Sequence, residues 1–364
     1  MGKRRWIDGH FHLSLTRTMS RLDNVTDALQ VLDCGGLEAI CIQNIVLWFP
    51  EHLLRNPLSL LAKLENPQQI YAFGGIRFPH PDSPNHQFDY LHQAQELISL
   101  GFDGIKLFGK PNMRQAFGEP FDSPIFSPMF DWLAQEKIPV LFHVGDPREF
   151  WSVETAPDFA RENSWIYDNP PFDAYYDEIE RLLTNHPGLN VLFPHFFFLS
   201  DELERLRTFL NRWESIWIDI TPGSEMYHNF TQSHSEARKF FLEYQDRILF
   251  GTDNTGDAQG DLPTCVPRSL DRLNTMLNFL SDSSANGWGE VFRGLELPEN
   301  VIDKILYKNF YRFINSSTPR FVDPKQALCF AQEMQCLAAN TKNPVLDREF
   351  ERVIEAYKSR TNSV

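Results

Sequence analysis

The chain has 364 residues, of which 42% are hydrophobic and 23% charged, with a formal net charge of −15. That balance fits a soluble globular protein with a large core, and excludes a minimal domain or a disordered chain. The acidity excludes a basic nucleic-acid groove, while a small anionic substrate stays compatible because a metal in a pocket reverses the local potential.

Taken in order, Trp6 to Phe11 is the first strand candidate, Ser14 to Asp23 a polar loop, and Asn24 to Cys34 a helix stopped by Gly35-Gly36. Ala39 to Leu47 is a buried strand and Leu58 to Leu64 a helix. Ile70 to Arg77 is a third strand, Phe78 to Pro84 a turn-rich loop and Phe88 to Leu100 an amphipathic helix. Asp103 to Phe108 is a fourth strand, followed by a long loop to about Pro128 and a helix over Met129 to Glu136. Pro139 to Val144 is a fifth strand. The connection from Gly145 to Pro171, with Trp151, Trp165 and Tyr167, reads either as a pocket wall or as a structural insertion.

Asp173 to Thr184 is helical, Asn190 to Phe196 a sixth strand, and Ser200 to Trp213 a helix whose first serine can cap it. Ile216 to Ile220 is a seventh strand, His234 to Tyr244 a helix, and Arg247 to Asp253 an eighth strand. Helices follow over Leu270 to Leu280 and Pro298 to Phe313, and the tail from Pro324 carries two more. Short apolar strands alternating with helices imply a parallel sheet buried on both faces. Eight such units make an α/β protein of the (β/α)₈ TIM-barrel type, whose site lies at the C-terminal strand ends. The expected organisation is one domain over 1–364, with 314–364 as a C-terminal helical extension.

The five cysteines, Cys34, Cys41, Cys265, Cys329 and Cys336, include no Cys-x-x-Cys, so a reducing cytoplasm is expected rather than a disulfide framework. Cys329 and Cys336, seven apart in a helical pattern, read as buried thiols. No apolar stretch is long enough to span a membrane. The expected partner is a small molecule, with no nucleic acid or membrane, and a homo-oligomer is compatible with the sequence.

The chemistry gathers at strand ends. His10 and His12, in Ile7-Asp8-Gly9-His10-Phe11-His12, are two apart and point to one side of an extended chain. Two imidazoles so placed can grip one divalent cation. Later strands also end on metal-ligand types: His143, His195 and Asp253. Lys106 and Arg77 lie on or just after the fourth and third strands and are candidate substrate contacts. Asn44, Trp48 and Phe108 sit near strand ends, as pocket lining or as packing. Glu225 and Tyr227 are candidate lid residues. His80, His86, His92, His186, His228 and His234 read as loop or helix-surface histidines.

These segments, Asp-Gly-His-Phe-His, LFHVGD around His143, VLFPHF around His195 and ILFGTDN around Asp253, resemble the amidohydrolase superfamily, most closely the amidohydrolase-2 group of metal-dependent hydrolases, decarboxylases and hydratases. The resemblance covers roughly residues 5–313. It implies that His10 and His12 bind the metal, and that His143 is either a third ligand or a substrate-polarising histidine. His195 is either a second-metal ligand or an acid/base, and Asp253 binds the metal or its water and shuttles a proton. Lys106 is a carboxylated bridge between two metals, a cation for a substrate carboxylate, or an ordinary strand-end lysine. The implied cofactor is one divalent ion rather than two, Zn²⁺ or alternatively Mn²⁺. The expected activity is hydrolysis of a small amide, ester or lactone. The alternatives are nonoxidative decarboxylation of a small aromatic or unsaturated acid, and a catalytically silent barrel used for binding.

Overall fold

A computed structural model describes residues 4–13, 22–82, 88–223, 225–255 and 265–361. Most of the loop expected at Ser14 to Asp23, the end of the Phe78 to Pro84 loop and His86 lie outside them. The apolar runs form parallel strands β1 (Ile7–His12), β2 (Ala39–Gln43), β3 (Ile70–Gly75), β4 (Gly104–Gly109), β5 (Val140–Val144), β6 (Val191–Phe193) and β7 (Ile216–Asp219). Each pairs with the next in sequence, and all these pairings are parallel. The eighth position is shared by two short segments. β8 (Ile248–Leu249) pairs with β7, and β9 (Asn254–Thr255) pairs with β1. Between them Gly9 N donates to Phe250 O (3.0 Å) and Asp253 N to His10 O (2.8 Å), which closes the sheet on itself. The result is a (β/α)₈ barrel with its helices outside.

Strand alternation sorts the side chains. Ile40, Ile42, Val140, Phe142, Val191 and Phe193 face the helices. Ile7, Ala39, Cys41, Tyr71, Phe73, Leu141, Leu192, Trp217 and Leu249 fill the lower barrel interior, closed from below by Phe310, Phe313 and Ile314. One strand position further along, the inward residues turn polar: Gln43, Lys106, His143 and Asp219. On β1 the alternation is broken on purpose. Asp8 pairs with Ile40 but Phe11 with Ile42, so β1 carries one extra residue. That bulge keeps Ile7 inside and Phe11 outside, and turns His10 and His12 into the barrel mouth.

Several expectations are corrected. The sixth strand ends at Phe193, because Pro194 leads into a run of left-handed residues. Ser200 caps no helix: that helix spans Leu203–Arg212, and the Ser200 hydroxyl instead accepts from Asn229 Nδ2 (3.0 Å). The long loop after β4 contains the helix Pro111–Phe117. The 145–171 connection holds the turn Arg148–Trp151, the helix Asp158–Glu162 and its own aromatic cluster around Phe150 and Tyr167. A hairpin, β10 (Ser284–Gly287) with β11 (Glu290–Arg293), was not foreseen. Trp288 and Gly289 both have positive φ there, the geometry of a two-residue hairpin turn. Cys329 and Cys336 are exposed, since the helix Pro324–Ala339 buries the face of Ala327, Phe330, Ala331, Met334 and Ala338. This helix packs on Pro344–Thr361, and both lie against the helix Arg55–Glu65. Among the described residues no helix is long and apolar enough to cross a membrane.

Candidate metal centre

His10 and His12 converge on one point. Their Nε2 atoms are 3.1 Å apart, and Asp253 Oδ1 lies 3.1 Å from His12 Nε2 and 3.7 Å from His10 Nε2. Among the described residues these three form the group whose donor atoms could hold one metal ion. The far side of each ring is occupied. His12 Nδ1 lies 2.7 Å from Gln43 O, and a carbonyl only accepts, so the proton sits on Nδ1 and Nε2 presents a lone pair. Gln43 is held in turn by donating from Nε2 to Gly9 O (3.0 Å). His10 Nδ1 lies 3.0 Å from Asp219 Oδ2. Bonds of about 2.0–2.2 Å from zinc to imidazole nitrogen and carboxylate oxygen place neighbouring donors roughly 3 Å apart. The observed separations fit that requirement.

Asp253 reaches this point because the eighth strand position breaks. Gly251 must be glycine: an added Cβ would stand 2.6 Å from His10 Cβ and 2.8 Å from Thr221 Oγ1. Asp253 itself has φ 55°. Asp8 ties the break to β1, accepting from His10 N (3.2 Å), Thr252 N (3.0 Å) and Thr252 Oγ1 (2.6 Å). Burial pushes the Asp8 carboxyl up to about 7. For Asp253 burial acts upward, against the imidazoles of His12, His10 and His195 that face it, and its carboxyl lies well below the usual carboxylate range.

His195 opens a run, His195 to Phe198, in which every residue has φ between 52° and 57°. Left-handed conformations cost non-glycine residues roughly 1–2 kcal/mol each. Aromatic packing offsets this: Phe197 stacks on Phe193 at 4.1 Å, Phe196 contacts Phe230, Phe240 and Phe241, and Phe198 stacks on His195 at 5.1 Å. His195 Nδ1 lies 3.3 Å from Thr221 O, and its ring is 5.7 Å from His10 and 5.0 Å from His143. Burial lowers both His143 and His195 to about 4, so both are neutral at pH 7. His143 stands outside the converging trio, with Nε2 buried and 3.8 Å from Asp146 Oδ1. Among the described residues Lys106 Nζ is buried with no hydrogen-bond partner, and burial lowers it to about 7 against the charges of Asp253 and Asp219.

A cavity of about 220 Å³ at this mouth is lined by His12, Ile45, Arg55, Phe108, His143, His195 and Asp253. A larger one of about 800 Å³ lies among Pro222, Gly223, Arg272, Tyr227 and Trp288. It contains none of the converging donors. It touches the site through Arg272, which donates to Thr252 O and Asp253 O.

Arg77 is not brought to the site. β3 ends at Gly75, and the Arg77 charge faces Glu96 and Glu333 on the outer helices. Arg55, missed in the sequence, lines the cavity instead, donating to Ile45 O. Asn44 is packing, donating to Phe73 O and accepting from Ser59. Tyr227 is an anchor rather than a lid, buried with its hydroxyl on Ile220 O. His186 and His234 are buried, on Asp131 and Gly294 O respectively. Asp219 and Asp8 were also missed. The signal for Asp219 was there: like Asp253, it is an acid closing an apolar run.

Comparison with curated protein sequences gives no match. The fold is shared with 2,6-dihydroxybenzoate decarboxylase complexed with 2,6-dihydroxybenzoate (TM-score 0.51, 16% identity, 86% of this chain and 99% of that chain). It is also shared with 4-oxalomesaconate hydratase from Rhodopseudomonas palustris (TM-score 0.52, 14% identity, 85% and 95%). The Amidohydrolase family profile matches residues 72–315, a span that includes Lys106, His143, His195 and Asp253 and begins after the β1 pair. With that match and a barrel whose mouth gathers metal-ligand types, this chain belongs to the amidohydrolase-2 family of the amidohydrolase superfamily.

Proposed function

We propose that the protein is a metal-dependent hydrolase of a small amide, ester or lactone, using one divalent ion, Zn²⁺ or alternatively Mn²⁺. The observation that carries this is the convergence of His10 Nε2, His12 Nε2 and Asp253 Oδ1 at the C-terminal mouth of the barrel. Bound there, such an ion polarises a carbonyl and brings the pKa of water from 15.7 toward ~7. Asp253, whose carboxyl lies well below the usual carboxylate range, takes the proton of the attacking water and returns it to the leaving group. His195, neutral and in the cavity wall, is the second acid/base, and His143 contacts the substrate carbonyl. Lys106 is the cation for an acidic substrate group. In this reading the protein works on a small molecule in the cytoplasm, with neither nucleic acid nor membrane as partner.

The buried Lys106 amine beside Asp253 also favours a second reading. In that reading, nonoxidative decarboxylation, the Lys106 ammonium pairs with the carboxylate of an acid substrate. A panel of lactones, esters, amides and aromatic acids, turned over by metal-loaded protein in water enriched in heavy oxygen, separates the two. Solvent oxygen in the organic product is expected. Carbon dioxide release with no solvent oxygen in that product overturns hydrolysis in favour of the lyase.

A further inference from the structure

Asp219 closes β7 and is 1% exposed. Its two oxygens have separate tasks. Oδ1 accepts from the backbone N–H groups of His195 (2.9 Å) and Thr221 (3.0 Å). Oδ2 faces His10 Nδ1 at 3.0 Å, and Thr221 Oγ1 lies 3.2 Å from that same nitrogen. Burial raises the Asp219 carboxyl, while the two backbone donors on Oδ1 favour its charged form, and as a carboxylate it can only accept. His10 must then carry its proton on Nδ1, which leaves the Nε2 lone pair pointing toward His12 and Asp253.

We propose that Asp219 is a positioning residue that fixes His10 in the Nδ1–H tautomer, making Nε2 a metal donor while anchoring the turn that presents His195. This rests on the metal reading of the site. It goes further in assigning the decision between ligand and non-ligand to a carboxylate on another strand. A carboxylate behind a ligating histidine sets ring orientation and basicity, and losing it typically costs about 10–100-fold in metal affinity or activity.

Asp219→Asn makes the mechanism visible. The amide has one oxygen, and the two backbone N–H groups require it. The NH₂ group must then face His10 Nδ1, where the Thr221 hydroxyl can donate as well. His10 can answer only by moving its proton to Nε2, and the donor is lost while the shape is kept. An amide in place of an orienting carboxylate has this wrong-tautomer effect in Ser-His-Asp triads.

The test uses the full chain labelled with ¹⁵N-histidine and stripped of metal. Two-bond ¹H–¹⁵N spectra give the tautomer of each ring, with His10 assigned by the signal missing in His10→Gln. The parent is expected to show Nδ1–H at His10, and Asp219→Asn to show Nε2–H. Competition with a zinc chelator should show a loss of about 10–100-fold in Zn²⁺ affinity in Asp219→Asn. An Nε2–H tautomer in the parent overturns the proposal even if the variant does not fold. So does an Asp219→Asn protein with unchanged tautomer and unchanged Zn²⁺ affinity. Zinc binding by the parent protein is read separately in the same titration and tests the metal reading itself.

Discussion

Asp253 is bound by its surroundings at every atom that matters. Its N–H is on His10 O, its carbonyl accepts from Arg272, and its carboxylate faces the two β1 imidazoles. Asp253→Asn keeps size and hydrogen-bonding reach but removes the base. General-base groups contribute about 10²–10⁴-fold, so turnover of an active substrate should fall by that order in a variant reloaded with metal. Unchanged turnover would remove Asp253 from the proton path. Asp253, His10 and His12 were legible in the sequence because each ends or nearly ends an apolar run. Gln43 and Asp8 were not, and of Asp219 only the place at a strand end was, because their roles exist only through partners: Asp8 acts on Thr252 and Asp219 on His10, more than 200 positions away. Arg77 failed for the opposite reason. Its place after a strand was legible, but the turn that sends it outward was not.

The elements that carry the site are those that depart from regular geometry: the β1 bulge, the left-handed turn after β6 and the divided eighth strand. Periodicity located the strands but was silent on these departures, which arise from cross-strand packing and from contacts such as Phe193 on Phe197. At the opposite end of the barrel, Glu38 joins three elements. It accepts from Arg5 Nε and Nη2 (both 2.6 Å) in the lead to β1 and from the Tyr311 hydroxyl (2.5 Å) on the helix Asn309–Ile314. The Arg5 guanidinium, with help from Tyr311, holds the Glu38 carboxyl below its ordinary value of 4.5 against the opposing effect of burial. A carboxylate depressed on folding adds stability above its unfolded pKa and loses it as pH falls through the folded one. Glu38→Gln should therefore be less stable than the parent at pH 7. The partners are partly exposed, so the difference should stay under about 1 kcal/mol. In urea unfolding the gap should close as pH drops below about 4. An equal gap at pH 7 and pH 3.5 would show that the pair contributes through packing alone.

At the scale of the molecule, the alternation of strands and helices made the barrel legible, and barrel closure explains why residues from opposite ends of the chain meet. His10 and Asp253 adjoin because β9 pairs with β1. The interior is apolar below and polar at the mouth, so the fold concentrates its unpaired chemistry on one face. Substrate identity was not legible, since it resides in loops whose residues follow no periodic pattern. The metal reading requires this mouth to hold a divalent ion between His10, His12 and Asp253. It is tested by elemental analysis of protein purified without chelator, set beside the double variant His10→Ala/His12→Ala. About one transition-metal ion per chain is expected in the parent and none held at this site in the variant; equal metal content in the two proteins would overturn the metal reading.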